Sequence, residues 1–522
     1  MQRIAPFLRP IDGILLALAI VNVVGFTLLA ISINDVGFPL DDSWIHQTYA
    51  RNLADTGEWA FVPGEESAGS TAPLYTLLLM AGHVLNLSPY VWAHFLGILA
   101  LFVTGFLSVR LAERLFPNMP YAGPVTGLVM VMTWHLIWAA ASGMETMLFM
   151  ALSLGVIWLT WQELDTEQER RPAILRRGAL LGVTGGLLYL TRPEGVGLLG
   201  LAGLSVLVSG IYRRWQDYIQ WALAVSVGFI LVTSPYLVLN YDLTGELLPT
   251  TADAKVQDYA ALRENAILAR YVSMLVPVAA GGQILLLPGI VYGIYRVAKR
   301  MSRREWVFML PVVWAFAHLT LFVLRLPANY QHGRYVMPIL PPLLLFSVGG
   351  MLLLLAVSKK NMLGRVLTRT LALSAIGGML GFWVIGGRGY GNDVKIINTE
   401  MVKSAKWIDE NVPRDELLAV HDIGAVGYFA PRDILDLAGL VSPEIVPLLG
   451  DDEALVQKMC EENAQWLMVF PDQLPFPDED DPRLEEVFST DEPFTLEAGG
   501  SGNMTVFRVQ FGDDCGPPLP EG

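Results

Sequence analysis

Runs of about 20 consecutive apolar residues recur along the first three quarters of this chain. A segment of that length crosses a bilayer only as a helix, because the hydrocarbon offers no partner for an open backbone N–H or C=O. Composition agrees. Of 522 residues, 53% are hydrophobic and 16% charged, where a soluble chain carries about 25% charged residues. The first run, 11–33, follows Arg3 and Arg9. A cleaved signal peptide has a shorter apolar core and a small-residue cleavage site, so this run reads as a retained signal anchor.

The net charge of −15 is an average over two unlike parts. From Arg388 onward there are 28 Asp/Glu against 9 Lys/Arg, so the acidity belongs to the tail, and the part before it is mildly basic. Nothing in this balance points to nucleic acid. The tail also holds both cysteines, Cys460 and Cys515. Two cysteines at that spacing leave a disulfide and two free thiols equally open.

Basic clusters set the expected topology. Arg170, Arg171, Arg176 and Arg177; Arg213 and Arg214; Lys299, Arg300, Arg303 and Arg304; and Lys359, Lys360, Arg365 and Arg369 should all be cytoplasmic under the positive-inside rule. The turns near 191–194, 241–280 and 326–334 then face outward. The apolar stretch 72–87 is short for a span, and counting it would reverse the later basic loops, so it reads as an interfacial helix. The expected spans are 11–33, 91–112, 121–140, 146–162, 178–191, 195–212, 219–240, 281–298, 306–324, 335–357 and 369–387. The expected class is an α-helical polytopic membrane protein of about eleven helices with its N-terminus inside. Residues 1–388, with an outer loop at 34–90, form the bundle. Residues 389–522 form a small extracytoplasmic α/β domain: 398–411 has helical spacing, and 417–420, 434–437 and 466–470 read as strands. The stretches 475–481 and 516–522 read as loop.

The most informative polar stretch is the first outer loop, where Asp41 and Asp42 precede a helix whose apolar side is Trp44, Ile45, Tyr49 and Leu53. Paired carboxylates at the membrane surface suit a general base that deprotonates a hydroxyl. They suit helix capping equally. Other polar groups collect at the outward turns: Glu145 in Ser142–Thr146, Arg192 and Glu194 in Thr191–Gly195, and His332, Arg334 and Tyr335 in Gln331–Tyr335. Each alone reads as a snorkelling or capping residue. Taken together on one face, arginines that match a phosphate and carboxylates that supply a base describe a site for an anionic leaving group and a hydroxyl acceptor. His421 and Asp422 sit in a turn after a strand and read more simply as a cap.

This order of features resembles the GT-C glycosyltransferases, polytopic enzymes that use polyprenyl-phosphate sugars. They include protein O-mannosyltransferases, lipid A aminoarabinose transferases, oligosaccharyltransferases and mycobacterial arabinofuranosyltransferases. The resemblance rests on Asp41-Asp42, Gly69-Ser70-Thr71-Ala72-Pro73-Leu74-Tyr75, Ser142-Gly143-Met144-Glu145-Thr146, Thr191-Arg192-Pro193-Glu194-Gly195 and His332-Gly333-Arg334-Tyr335. With His421-Asp422-Ile423-Gly424-Ala425, it is nearest the arabinofuranosyltransferase branch. The resemblance implies an inverting transfer to a glycan, lipid or protein hydroxyl on the outer face of the cell membrane. It makes Asp41 the base and Asp42 its orienting partner, or the reverse. Glu145 takes the second acidic position. Arg192, Arg334, His332 and Tyr335 serve the donor phosphate, with Glu194, His46 and Ser70 nearby. Oligosaccharyltransferases carry an acidic pair where this chain has Glu145 alone. A Mg²⁺ or Mn²⁺ ion would take oxygen ligands such as Asp41 and Glu145, whereas other branches rely on Arg or Lys.

Two other classes compete. A transporter or lipid-linked-sugar flippase also has many spans and buried ionisable groups, but tends to show inverted repeats and broken helices, neither of which the sequence displays. A non-catalytic assembly protein would use the acidic tail but leaves Asp41, Asp42 and the arginines without a role.

Overall fold

The computed structural model describes residues 9–165, 171–247 and 251–517. Arg3, Arg170, the side chain of Arg171 and residues 518–522 lie outside the described residues. By contact the chain forms two compact units. One comprises Met1–Leu29, Ala93–Tyr236 and Ala261–Gly389; the other comprises Ala30–Trp92, Leu237–Ala260 and Tyr390–Gly522. The loop 34–90, grouped above with the bundle, therefore has its contacts with the tail residues.

The first unit is a helical bundle of a multi-pass membrane protein. Among the described residues, seven helices are long and apolar enough to span: Pro10–Ile33, Pro89–Leu115, Thr146–Asp165, Trp215–Thr244, Arg304–Arg325, Tyr330–Val357 and Met362–Asn411. Counting each of two bent pairs as one span brings the number to nine. Ala122–Met132 and Trp134–Ala141 meet at 55°, and Ile267–Ala279 and Gly282–Arg300 meet at 106°. Nine of the eleven expected spans fall on these elements. The remaining two fall on Arg171–Tyr189, which opens with arginines, and on Gly195–Val208, whose 14 residues are fewer than the roughly 20 that cross a bilayer. The expectation of unbroken spans is also corrected. Thr133 is extended between the first pair, and Gly281, at φ 154°, sits between the second.

Apolar side chains that stay exposed, such as Leu231, Val227 and Leu373, face where lipid belongs. Between helices the contacts are close and small, as in other membrane bundles. A Cβ added at Gly350 would lie 1.9 Å from the carbonyl oxygen of Gly289. Near the start of the first span, Arg110 donates to Asp12 (Nη2 to Oδ2, 2.8 Å) and Arg9 donates to Glu113 (2.8 Å), tying that helix to Pro89–Leu115.

The second unit is built on a five-stranded mixed sheet. A small antiparallel pair, β1 (Ala60–Val62) and β2 (Glu65–Glu66), lies in the first loop. The sheet itself uses β3 (Leu418–Val420), β4 (Ile434–Asp436), β5 (Trp466–Val469), β6 (Leu484–Ser489) and β7 (Thr505–Val509), in the order β4-β3-β5-β7-β6. β3 pairs in parallel with β4 and β5, while β7 is antiparallel to β5 and β6. The three expected strands are β3, β4 and β5. Their core joins Ala419, Leu435, Leu467, Val469 and Phe507 to Ile445 and Met459.

Two features fasten the tail. Cys460, in helix Asp452–Glu461, is disulfide-bonded to Cys515 after β7, with Cα atoms 5.8 Å apart, which decides the alternative left open by spacing. Glu400 lies in a five-residue π-turn, Asn398–Val402, that precedes helix Lys403–Asn411. Its fully buried carboxylate accepts from the hydroxyls of Thr490 and Thr495, from Asn503 Nδ2 (2.9 Å) and from the Met504 N–H (2.9 Å). A buried charge survives only with partners of this kind.

In the same unit, helix Asp42–Asp55 departs from the expected one-sided amphipathic helix. Trp44, Ile45 and Tyr49 are buried, but so are Ser43, His46, Gln47 and Thr48 on its other faces, whereas Leu53 is half-buried. The stretch expected as an interfacial helix forms helix Pro73–Val84, 12 residues long.

Candidate functional site

The polar residues singled out by sequence form two clusters, one in each unit. In the second unit, Asp41 opens helix Asp42–Asp55 but makes no side-chain cap bond to it. Its carboxylate instead accepts from the backbone N–H groups of Gly424 (Oδ2, 2.6 Å) and Ala425 (Oδ1, 2.8 Å), in the first turn of helix Ile423–Phe429. At the other end of that helix, Arg51 donates to the carbonyls of Gly427 (3.1 Å) and Tyr428 (2.7 Å). An acid on the exposed N–H groups and a base on the exposed carbonyls both satisfy the end groups that a helix leaves open, and both oppose its dipole. Gly424 makes the approach possible, since a Cβ there would lie 2.1 Å from the Asp41 carbonyl oxygen.

Around this contact lie Asp42, whose Oδ2 accepts from Lys255 Nζ at 3.1 Å, and Asp422, whose Oδ2 accepts from Gln473 Nε2 at 3.0 Å. His421 Nδ1 stands 3.6 Å from Asp422 Oδ1. Asp422 occupies the cap position of helix Ile423–Phe429 yet makes no side-chain cap bond; Asp41 does that work, which corrects the expected role of Asp422. Burial, then the charges of Asp422 and Asp42, raise the Asp41 carboxyl above the ordinary carboxylate range, against the lowering effect of the two N–H bonds. Burial acts on Asp422 in the same direction, but hydrogen bonding and charge from His421, with the Gln473 amide, hold it below that range. Two neighbouring carboxylates pushed apart in this way are suited to opposite protonation states.

His46 and Ser70 belong to the same unit. Both are buried: His46 lies edge-on to Tyr75, with ring centroids 5.8 Å apart, and the Ser70 hydroxyl bonds Thr76 Oγ1 at 2.9 Å, just inside helix Pro73–Val84. Trp44 packs among Phe38, Tyr90, Tyr428 and Phe429.

The bundle holds the other cluster. Arg192 Nε donates to Glu145 Oε1 (2.6 Å) and its Nη2 to Thr146 Oγ1 (3.0 Å). Its Nη1 makes no hydrogen bond among the described residues, with Glu194 Oε1 3.8 Å away. Arg334 Nη2 donates to the Tyr335 hydroxyl (3.0 Å). The Tyr335 ring has both guanidiniums near it, Arg334 at 4.9 Å and Arg192 at 6.0 Å from its centroid, a cation–π arrangement that favours positive charge in an apolar setting. His318 bonds the Tyr335 carbonyl at 2.8 Å. His332 lies beside this group in sequence, left-handed at φ 58°, with its ring edge-on to Trp134 (5.2 Å) and Trp138 (5.3 Å). Sequence reasoning missed Lys255, Gln473, His318 and Thr146. Lys255 carried a faint signal, as the one lysine of the outward segment 241–280.

Asp41 and Glu145, the oxygen ligands expected of a divalent cation, are each already engaged. Both Asp41 oxygens already accept backbone N–H bonds and Glu145 is paired with Arg192. Among the described residues no group of three or more His, Cys, Asp or Glu side chains is disposed to hold a metal.

Residues 392–507 match a family described as a domain of unknown function (DUF8728). No curated protein sequence matches the chain. Solved structures do. ArnT from Cupriavidus metallidurans, bound to undecaprenyl phosphate, superposes over 97% of this chain and 99% of its own, with TM-score 0.61 and 15% identity. The oligosaccharyltransferase AglB from Archaeoglobus fulgidus, in complex with an inhibitory peptide and a dolichol-phosphate, covers 86% of this chain and 69% of its own, with TM-score 0.56 and 11% identity. The arabinofuranosyltransferase AftD from Mycobacteria covers 95% of this chain and 40% of its own, with TM-score 0.51 and 14% identity. The chain has the GT-C fold. Its match to ArnT runs nearly end to end in both chains, so the GT-C fold here includes the tail sheet as well as the bundle.

Proposed function

We propose that this protein transfers a sugar from a polyprenyl-phosphate donor to a hydroxyl of a cell-envelope glycan, lipid or protein, with inversion at the anomeric carbon. The observation that carries the reading is the end-to-end fold match to ArnT, a protein solved with undecaprenyl phosphate bound. Asp41 is the assigned base. Its raised basicity suits proton removal from a hydroxyl, and the two N–H bonds fix its orientation. The acceptor oxygen, losing its proton to Asp41, attacks the anomeric carbon while the bond from that carbon to the phosphate oxygen breaks. Arg192 and Arg334 are assigned to the leaving phosphate. Arg192 Nη1 makes no hydrogen bond among the described residues, and bidentate donors of this type stabilise the charge that develops on a phosphate. No step requires a metal ion.

The disulfide supports a tail outside the cytoplasm, since such bonds persist in oxidising compartments. It agrees with basic loops on the cytoplasmic side.

One observation favours a second reading. Two broken spans, at 55° and 106°, are of the kind that transporters use, so a flippase for the same lipid remains the competing function. Purified protein in liposomes with labelled polyprenyl-phosphate sugar and a cell-envelope acceptor fraction separates the two. Transfer predicts release of free polyprenyl phosphate in step with labelled product, both cut by about 10²-fold or more in Asp41→Asn. Lipid-sugar crossing the bilayer uncleaved would overturn transfer.

A further inference from the structure

Away from both clusters, the bundle contains a cavity of about 610 Å³ lined by Phe116, Met119, Leu353 and one face of helix Leu287–Arg300. That face presents Tyr292, Tyr295, Arg296 and Lys299, spaced i, i+3, i+4 and i+7, with Arg300 at the helix end. Arg296 Nη1 donates to the Tyr292 hydroxyl (2.9 Å), and Lys299 Nζ donates to the Tyr295 hydroxyl (3.3 Å). Each tyrosine oxygen is thus an acceptor, and its own O–H proton is left to donate elsewhere. Arg300 donates to the Leu115 carbonyl. Among the described residues, none of these three cations forms an ion pair with a carboxylate. The acid nearest in sequence, Glu305, is used in a capping box with Ser302 (2.8 Å).

The depth of this cavity in the bilayer can be read from one stripe of the same helix. Leu287, Val291, Tyr295 and Lys299 follow one another at four-residue steps, and all are exposed. Aliphatic side chains therefore give way to a tyrosine and then to a cation over about 18 Å of helix. That succession marks the passage from hydrocarbon to headgroup. A cavity there, combining apolar walls, two hydroxyl donors and cations that form no ion pair among the described residues, has the chemistry of an anionic headgroup site. We propose that it holds the phosphate of an anionic phospholipid, with Arg296 and Lys299 as the charged contacts and Tyr292 and Tyr295 as neutral donors.

The test uses the full chain in nanodiscs of phosphatidylcholine, with and without phosphatidylglycerol, reading Tm and phosphatidylglycerol affinity. Phosphatidylglycerol should raise the Tm. Arg296→Ala and Lys299→Ala should each weaken its binding about five-fold, the effect of one cation near an anionic surface, and the double variant should lose most of the Tm gain. Tyr292→Phe with Tyr295→Phe keeps the charges and should weaken binding less. Arg365→Ala with Arg369→Ala, in a separate basic stretch, should leave the response intact. Equal loss in that control would reduce the effect to general surface charge and overturn the site, as would an undiminished response in both cavity variants. Inorganic phosphate added to phosphatidylcholine discs distinguishes a free anion: if it reproduces the whole Tm gain, the lipid assignment fails.

Discussion

The two polar clusters hold their charges by different means. In the bundle, Arg192 is compensated by the side chains of Glu145 and Thr146 within a shell of aromatic rings. In the second unit, Asp41 is compensated by backbone N–H groups of a short helix, and the side-chain charges that act on it are those of Asp422 and Asp42. A side-chain pair is a mutual debt, in which removing one member strands the other in a medium of low dielectric. A backbone cradle loses less when its acid becomes the isosteric amide, because the amide oxygen keeps one of the two N–H bonds and only the other N–H is left facing an NH₂ that cannot accept. The first arrangement therefore couples charge to stability, and the second leaves a carboxylate whose protonation can change without dismantling its surroundings.

The sharpest way to break that comparison is to neutralise each cluster in turn. Asp41→Asn should lower sugar transfer by about 10²- to 10⁴-fold, the usual contribution of a general base, while the one N–H left without an acceptor costs about 1–3 kcal/mol and lowers Tm in detergent only modestly. Arg192→Ala should cost about 3–5 kcal/mol, because Glu145 is left buried without its cation, and should be seen as a lower yield of folded protein and a lower Tm. Reversal of this pattern, with Asp41→Asn unfolded and Arg192→Ala stable, would show that Asp41 serves the helix alone.

The bundle was legible because its code is coarse. Span length and basic clusters survive any error of a few residues, and nine expected spans fall on spanning elements. What escaped was local. Thr133 and Gly281 look ordinary in an apolar run but break their helices. β6 and β7 were not foreseen: Leu484–Ser489 carries two glutamates, and Thr505–Val509 follows a glycine-rich stretch. Asp41 was visible as one of a pair, but its partners lie more than 380 positions away and are main-chain atoms, which no side-chain pattern announces. The same holds for Arg51 on the carbonyls of Gly427 and Tyr428.

The tail offers a comparison of covalent and electrostatic fastening. Opening the Cys460–Cys515 bond, which closes a loop of 55 positions, should destabilise the second unit by about 2–4 kcal/mol. Cys460→Ser with Cys515→Ser, followed by limited proteolysis, should cut the sheet domain at lower temperature while the bundle stays intact. Acid should act on the other fastening. The Asp41 carboxyl is raised by burial and by Asp422 and Asp42, so the base form is lost on acidification at a higher pH than for an ordinary carboxylate. Transfer should accordingly rise with pH through the range above ordinary carboxylates, and the rise should disappear in whatever residual rate Asp41→Asn retains. A pH-independent rate in the parent protein would remove Asp41 from the base role.

The smallest effect is expected at Lys255. Its pair with Asp42 spans 3.1 Å, and both side chains keep about a quarter of their exposure, so water and salt screen it. Lys255→Met should cost about 0.2–1 kcal/mol of stability. Its effect on transfer should exceed that, because the ammonium is bonded to the acid next to the base. Without it, more of the Asp42 negative charge acts on Asp41, and the pH at which transfer half-develops should move upward. Lys255→Arg keeps the charge and should restore the parent profile, which a packing role for the lysine stem alone would not require. If Lys255→Met lowers Tm but leaves the pH profile in place, Asp42 is electrically separate from Asp41, and the second cluster is then a single acid in its cradle.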